Sequence, residues 1–239
     1  MRKNSLGQAI GDDLSDWTAP PSPPPEVLEG QFCRLEPVDP DRHTEALFAA
    51  NSAETSGAMW TYMAYGPFDS LRSYRDWLSS YCSGSDPQFY AIVDARSGAA
   101  VGLTSYCRIQ NTIGVIEIGH LCYSPLLQRT SAATESVFLL LRNAFRLGYR
   151  RCEWKCDAFN EPSRRAALRL GFTLEGVFRN ATMYKRRSRD TAWYAIVDDG
   201  WALLEASYLR WLAPENFDTE GKQLTRLSEF LPIETEGGK

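Results

Sequence analysis

The chain of 239 residues contains no apolar run that approaches the roughly 18 residues that a membrane-spanning helix needs. No apolar segment with a small-residue cleavage site follows Arg2 and Lys3, so the N-terminus does not resemble a secretory signal. Basic residues are not in excess: the formal net charge is −4 and the pI is near 5.4, which argues against nucleic-acid binding as the main function. These absences predict an intracellular, cytoplasmic protein without a membrane or nucleic-acid partner.

Paired cysteine motifs are also missing. None of the six cysteines belongs to a Cys-x-x-Cys pair, and a chain of this length can build a full core without disulfides. Cys152 and Cys156 lie four residues apart on a predicted strand and therefore share one face. We expect them to pack as small hydrophobic side chains rather than to bind metal. The sequence predicts a reduced protein with no metal site.

The length and composition favour one domain with an extension at each end. Residues 1–29 lack hydrophobic periodicity and include a proline-rich stretch at residues 20–25, which predicts a flexible leader. Docking of this leader through Leu14 and Trp17 is the alternative. We predict the main domain over residues 30–198, and a C-terminal helical extension with a polar tail over residues 199–239.

Hydrophobic periodicity and turn residues predict alternating strands and helices. The expected strands are residues 32–38, 89–93, 101–109, 115–123 and 151–157, followed by a hairpin of residues 172–184 and 191–197. The expected helices are residues 40–51, 71–81, 131–147, 162–170 and 201–211. This order indicates a mixed α/β sheet.

The most informative pattern lies between residues 126 and 172. Small residues, Ser131-Ala132-Ala133, open an amphipathic helix shortly after a strand. Unpaired backbone N–H groups and the helix dipole converge at such a helix start and bind anions there. A second helix with polar residues at its start, Asn160 and Ser163, follows one strand later. The two helix starts together predict a site for an elongated, phosphorylated cofactor.

These motifs resemble those of the GNAT superfamily of acetyl-coenzyme A-dependent N-acetyltransferases. The similarity is greatest to the RimJ/RimL-like branch, which acetylates protein N-termini and assorted amines. The family's phosphate loop, Gln/Arg-x-x-Gly-x-Gly/Ala, and its Asn-x-x-Ser and Gly-Phe motifs match Gln128, Ser131, Ala133, Asn160, Ser163, Gly171 and Phe172. The resemblance covers residues 32–197 and implies a GNAT-type acyl-coenzyme A N-acyltransferase fold, with about seven strands and flanking helices.

The resemblance also implies which residues bind acetyl-coenzyme A. The strand before the phosphate loop is expected to separate from its neighbour at a bulge and to offer backbone groups to the pantetheine arm. The implied cofactor-binding residues are Leu121, Cys122, Tyr123, Gln128, Arg129, Thr130, Ser131, Ala132, Ala133, Thr134, Asn160 and Ser163. The central glycine of the loop is replaced by Ser131, which we expect to tune phosphate binding rather than abolish it.

Two residues are predicted to take part in catalysis. The resemblance implies that Ser163 donates a proton to the departing sulfur, although Asn160 and Ser163 also suit a plain helix start. Glu117 is the best candidate to accept the amine's proton, directly or through water; the alternative is a buried salt-bridge partner. Some relatives carry a carboxylate at the position of Thr182, which leaves the base uncertain. Strand alternation places Glu117 on one face and His120 on the other.

An aromatic segment between the first two helices is predicted to bind the acceptor through Trp60, Tyr62, Tyr65 and Phe68, with a supporting aromatic cluster as the alternative. The sequence therefore predicts direct acetyl transfer to a primary amine, such as a protein N-terminus. No Cys–His or Ser–His pairing suggests a covalent enzyme intermediate. Acetylation of a small-molecule amine, or a degenerate acyl-coenzyme A sensor, are the alternatives. A homodimer is compatible with the sequence.

Overall fold

An eight-stranded sheet forms the centre of the computed structural model, which describes residues 2–231. The strands are β1 (Arg2–Lys3), β2 (Ala9–Ile10), β3 (Leu28–Glu29), β4 (Cys33–Pro37), β5 (Gln88–Asp94), β6 (Ala100–Gln110), β7 (Val115–Tyr123), β8 (Arg151–Asp157), β9 (Thr173–Tyr184) and β10 (Arg187–Val197). The sheet order is β3-β4-β5-β6-β7-β8-β10-β9, while β1 pairs only with β2. Only the β7–β8 pair is parallel among these strands. The predicted mixed α/β architecture is confirmed. Beyond the seven predicted strands, the main sheet contains the two-residue β3, and β1 and β2 form a separate two-stranded sheet.

Helices cover both faces of the sheet. They are α1 (Pro40–Ser52), α2 (Leu71–Tyr81), α3 (Ser131–Leu147), α4 (Glu161–Arg169) and α5 (Asp198–Leu212). Strand β5 shows how the core divides, because alternate side chains point to opposite faces of a strand. Tyr90 and Ile92 pack into the core of α3 and α5, whereas Phe89 and Ala91 pack into the core of α1 and α2.

Capping residues in the sequence set the helix ends. The Asp39 side chain accepts a hydrogen bond from the Asp41 N–H at 2.9 Å, with Pro40 as the first residue of α1. The Ser70 hydroxyl caps α2 in the same way. Helix α3 ends at Gly148, which has a left-handed backbone with φ of 99°, a conformation that glycine adopts without strain. All three boundaries agree with the sequence prediction.

The last hairpin has a tighter turn than the sequence predicts. The prediction places the connection at residues 186–190, but β10 begins at Arg187 and the turn consists of Lys185 and Arg186. Both turn residues have a left-handed backbone, with φ of 46° and 60°. Two left-handed residues match the twist of a hairpin, but this turn usually carries Asn-Gly. Lys-Arg therefore supplies no recognisable turn signal.

The N-terminal leader lies against the domain in this structure. The Trp17 ring lies 5.9 Å from the Arg150 guanidinium carbon, and Asn111 and Tyr149 donate hydrogen bonds to carbonyl groups of residues 20–21. The Trp17 contact is one that the docking alternative predicts, whereas Leu14 is exposed; the three-part division of the chain stays a prediction. Residues 232–239 of the expected polar tail lie outside the described residues. No helix between residues 2 and 231 is both long and apolar enough to cross a membrane.

Candidate active site

The central cleft opens where β7 and β8 separate. The two strands pair only between residues 115–117 and 151–153, although both continue beyond this point. On its other side, β7 remains paired with β6 but with a shift in register. Ser105 pairs with Gly119, whereas Leu103 pairs with Cys122, so β7 has one extra residue between these two pairs. The shift is a bulge at residues 120–121, where His120 has a left-handed φ of 53°. A cleft of about 1840 Å³ lies between the diverging strands.

The predicted phosphate loop lies at one end of this cleft, and residues 128–134 all line it. Thr130 caps α3, because its hydroxyl oxygen accepts a hydrogen bond from the Ala133 N–H at 3.2 Å. The N–H groups of Ser131 and Ala132 have no acceptor within the helix. The left-handed residue of the loop is Arg129, with φ of 64°, and not Ser131. The backbone therefore does not require the glycine that the family pattern places at Ser131.

The predicted pantetheine residues are only partly exposed to the cleft. Leu121 and Tyr123 line it, but the Cys122 side chain does not and is buried in the core beneath α1 and α2. Alternation along β7 causes this difference, so Cys122 can offer only its backbone. The Gln128 amide donates a hydrogen bond to the Tyr123 carbonyl at 2.8 Å, which ties the phosphate loop to the end of β7.

Ser163 and Asn160 stand together at the start of α4, and both line the cleft. The Asn160 side chain accepts a hydrogen bond from the Ser163 N–H at 3.2 Å, so it is the helix cap that the sequence also allows. The Trp154 indole N–H donates to the Ser163 Oγ at 3.0 Å. A hydroxyl has one proton to donate, and the bond from Trp154 leaves that proton for another partner. The sequence analysis missed Trp154, because nothing in a single sequence indicates which side chain faces Ser163.

Glu117 is buried in a cluster of ion pairs. Its carboxylate lies 2.7 Å from the Arg108 Nε and 3.0 Å from the Lys155 Nζ, and only 4% of the residue is exposed. Lys155 also lies 2.6 Å from Glu153 and 3.7 Å from the centre of the Trp193 ring. These contacts join β6, β7, β8 and β10 just where β7 and β8 begin to separate. They are the contacts expected of a salt-bridge partner.

His120 lies on the opposite face from the one that strict alternation predicts. Its neighbours by alternation, Ile116 and Ile118, belong to the core beneath α3, whereas the His120 ring stacks on Tyr65 and packs against Phe89. The bulge at residue 120 produces this reversal. The Tyr65 hydroxyl lies 3.1 Å from the His120 Nδ1. Burial, with a contribution from Arg108, lowers the pKa of His120 to about 4, so the ring is neutral at pH 7.

The aromatic segment divides into cleft residues and supporting residues. Tyr62 and Tyr65 line the cleft, but Trp60 and Phe68 do not. Trp60 is buried in the core, and the partly exposed Phe68 packs edge to face against it, so acceptor contact by these two residues stays a prediction that their positions do not favour. Gly66 leaves room for the Trp60 ring, because a Cβ at residue 66 would lie 2.5 Å from the indole. Its φ of 63° also favours glycine at this position. The two rings support the loop that carries Tyr62 and Tyr65.

The tip of the last hairpin reaches across to this aromatic loop. The Lys185 Nζ donates to the Trp60 carbonyl at 2.8 Å, and Arg187 donates to the Thr61 carbonyl at 2.6 Å. From the other side, the Tyr62 hydroxyl donates to the Phe159 carbonyl at 2.9 Å. These bonds enclose the end of the cleft that lies opposite the phosphate loop.

Comparisons with known proteins agree with this fold. The family described as the acetyltransferase (GNAT) domain matches residues 33–173. The crystal structure of a GCN5-related N-acetyltransferase from Brucella melitensis is 43% identical, covers 91% of this chain and 99% of its own, and has a TM-score of 0.88. A probable GNAT-family acetyltransferase from Chromobacterium violaceum is 39% identical over 82% of this chain and 98% of its own, with a TM-score of 0.76.

More distant similarity supports the fold alone. The microcin C7 self-immunity acetyltransferase MccE, solved in complex with acetyl-CoA and AMP, is 21% identical over 70% of this chain and 93% of its own, with a TM-score of 0.62. A comparison with curated proteins found no match. The family match spans more than half of the chain, and the Brucella structure covers nearly all of it. The chain therefore belongs to the GNAT family of acetyl-coenzyme A-dependent acetyltransferases.

Proposed function

We propose that this enzyme transfers the acetyl group of acetyl-coenzyme A directly to a primary amine, and that the acceptor is a protein N-terminus or a similar amine. The observation that carries the proposal is the continuous cleft. It runs from the phosphate loop at α3, past the hydroxyl of Ser163, to the wall formed by Tyr62 and Tyr65. A cofactor and an acceptor that enter from opposite ends would meet near Ser163.

The cofactor end of the cleft fits coenzyme A in its chemistry. The N–H groups of Ser131 and Ala132, at the positive end of the α3 dipole, suit the pyrophosphate. The edge of β7 from residue 118 to 123 has no strand partner toward β8, and it suits the amides of the pantetheine arm as an added strand would. Ser163 then lies at the thioester end. The bulge makes this edge accessible, because it turns β7 away from regular pairing.

The reaction that these groups support is a direct displacement. The neutral amine attacks the thioester carbonyl, and the carbon–sulfur bond breaks as the carbonyl re-forms. The departing thiolate takes the proton of Ser163 directly or through water, and the proton that the attacking nitrogen loses returns to the Ser163 oxygen through water. Trp154 orients the Ser163 hydroxyl for this donation. A covalent acetyl-cysteine step is disfavoured at the nearest thiol, because burial raises the pKa of Cys156 beside Ser163.

The amine must lose its own proton before it attacks. The aromatic wall of the acceptor end penalises a buried ammonium group and thereby favours the neutral amine. We propose that solvent takes this proton, and that Glu117 holds the diverging strands together through its two ion pairs. In that case the fall of kcat/KM at low pH follows the pKa of the acceptor amine. Glu117→Gln should then leave this part of the pH–rate profile unchanged. A fall that disappears in this variant would identify Glu117 as the base.

A panel of acceptors tests the proposal. Acetyl-coenzyme A is incubated with peptides that have free or blocked N-termini and with small primary amines, while thiol release is followed and mass spectrometry locates the acetyl group. We expect steady thiol release with acetylation of a free amine. The enclosed acceptor end favours a narrow acceptor, such as an extended peptide terminus, over an internal lysine on a folded surface. Thiol release that is independent of every amine would refute the proposal.

A further inference from the structure

The C-terminal segment of residues 217–226 extends beyond the family match and reaches the cleft. Lys222 and Arg226 line the same cleft as the phosphate loop. The segment is held in place: the Trp211 indole N–H donates to the Gln223 side chain at 2.9 Å. The buried Asn216 amide donates to the carbonyls of Trp211 and Thr225 at 2.8 and 3.1 Å. These bonds make the segment an ordered wall.

An aromatic contact fixes where this wall lies. The Phe217 ring packs on Trp211, at 5.6 Å between centroids, and on Phe32 at 4.7 Å. Phe32 immediately precedes β4, and its backbone N–H donates to the Glu135 carboxylate in the first turns of α3 at 2.6 Å. The wall is thereby connected to the start of α3, at the phosphate end of the cleft and away from the enclosed acceptor end.

Positive charge is concentrated at this end. Five cationic residues from three parts of the chain line the cleft there: Arg129, Arg165, Arg169, Lys222 and Arg226. Within residues 2–231, the one carboxylate in an ion pair with any of these side chains is Glu161, at 3.8 Å from Arg165. The carboxylates of Asp218 and Glu229 accept hydrogen bonds from the backbone N–H groups of Lys222 and Arg226, at 2.8 and 3.1 Å, and leave the two cationic side chains without an ion pair. Arg169 instead donates to the Thr134 hydroxyl at 3.0 Å. The fold itself leaves most of this positive charge uncompensated.

Coenzyme A carries two separate anionic groups, the pyrophosphate and a phosphate on the 3′ position of its ribose. If the pyrophosphate lies at α3 and the pantetheine arm runs toward Ser163, the ribose must extend in the other direction. We propose that Lys222 and Arg226 bind the 3′-phosphate of coenzyme A, so that the C-terminal segment selects this cofactor over its dephosphorylated form. This inference rests on the proposed placement of coenzyme A in the cleft.

The expected size of the effect follows from exposure. Lys222 and Arg226 are both exposed, so each contact with a phosphate is screened by water. Replacing two attractive charges by two repulsive ones should weaken coenzyme A binding about tenfold. Dephospho-coenzyme A keeps the pyrophosphate and pantetheine but lacks the 3′-phosphate. The substitutions should therefore change the affinity for dephospho-coenzyme A by no more than about twofold, because only the long-range part of the charge change acts on this ligand.

The test is calorimetric titration of the full-length protein with coenzyme A and with dephospho-coenzyme A. The double variant Lys222→Glu/Arg226→Glu is compared with Arg72→Glu/Arg146→Glu, which makes the same charge change at exposed positions that do not line the cleft. Lys222→Gln/Arg226→Gln is the neutral second variant, and melting temperatures verify that each protein folds. We expect the cleft variants to lose the preference for coenzyme A, while the control variant keeps it.

Two results would overturn the proposal. Equal losses for the two ligands in the cleft variants would show that the segment acts on the pyrophosphate or only at long range. Unchanged affinities for both ligands would show that it does not touch the cofactor. Failure of the wild-type protein to bind either ligand would instead overturn the proposed function itself, so the two failures are distinguishable.

Discussion

Ser163→Ala tests the proposed proton donor most directly. The substitution removes one hydroxyl and leaves the Ser163 N–H, and therefore its bond to the Asn160 cap, in place. General acid help is worth about 10²–10⁴-fold in rate. A thiol with a pKa near 8.5 is already a fair leaving group, so the lower part of that range applies. We expect kcat to fall about 10- to 10³-fold, with little change in the KM for acetyl-coenzyme A.

The same substitution has a separate structural cost. The buried Trp154 indole N–H loses its acceptor, and an unsatisfied buried donor costs about 1–3 kcal/mol. For a domain of this size, the melting temperature should fall by about 2–4 °C for each kcal/mol. Trp154→Phe provides the matched control, because it removes the indole donor and keeps the Ser163 hydroxyl. Its kcat should fall much less than that of Ser163→Ala.

The assay is thiol release at saturating amine, with kcat and KM measured well below the melting temperature of each variant. Ser163→Thr, which keeps a hydroxyl, should retain more activity than Ser163→Ala. An unchanged kcat in a folded Ser163→Ala protein would leave Ser163 as a helix-start residue with no part in proton transfer. A rise in KM alone would make it a binding residue and refute the proposed acid role.

Four further outcomes are expected. Glu117→Gln should lower the melting temperature measured by calorimetry, because it leaves the buried Lys155 with Glu153 as its remaining counter-charge and breaks the ion pair with the more exposed Arg108. Ala132→Asp should weaken coenzyme A binding at least tenfold in titration, because its carboxylate repels the phosphates, and unchanged affinity would show that the loop is misassigned. Burial keeps His120 neutral in the fold, so stability measured by denaturant should fall as the pH drops from about 6.5 toward about 4, and His120→Gln should reduce this loss. Deletion of residues 1–25 should lower the melting temperature by several degrees and leave coenzyme A affinity unchanged, because the leader contacts the domain away from the cleft.

The sequence predicts the elements of this fold well because its local signals agree. Caps at Asp39 and Ser70, the glycine after α3 and the alternation of β5 each depend on neighbours close in the chain. The predicted phosphate loop depends on the same kind of local signal, a helix that opens with small residues, and the structure begins α3 at the predicted Ser131. These features required no knowledge of what packs against them.

The surroundings of some predicted residues depend on features that the local sequence pattern does not encode. His120 changes face because of a single bulge, and nothing in residues 115–123 indicates where such a shift falls. Trp60 shares the aromatic character of Tyr62 and Tyr65, but its ring is buried, and the close approach of Gly66 to the indole makes room for it there. Pattern identifies the segment, and tertiary packing selects the residues that face the cleft.

Glu117 shows the same principle at the level of chemistry. A carboxylate beside a presumed reaction centre suits a base, but its role depends on its partners. Those partners, Arg108 on β6 and Lys155 on β8, come from strands that lie on either side of β7. The ion pairs therefore stabilise the point at which β7 and β8 diverge, and the cleft that we propose binds both substrates opens from that point.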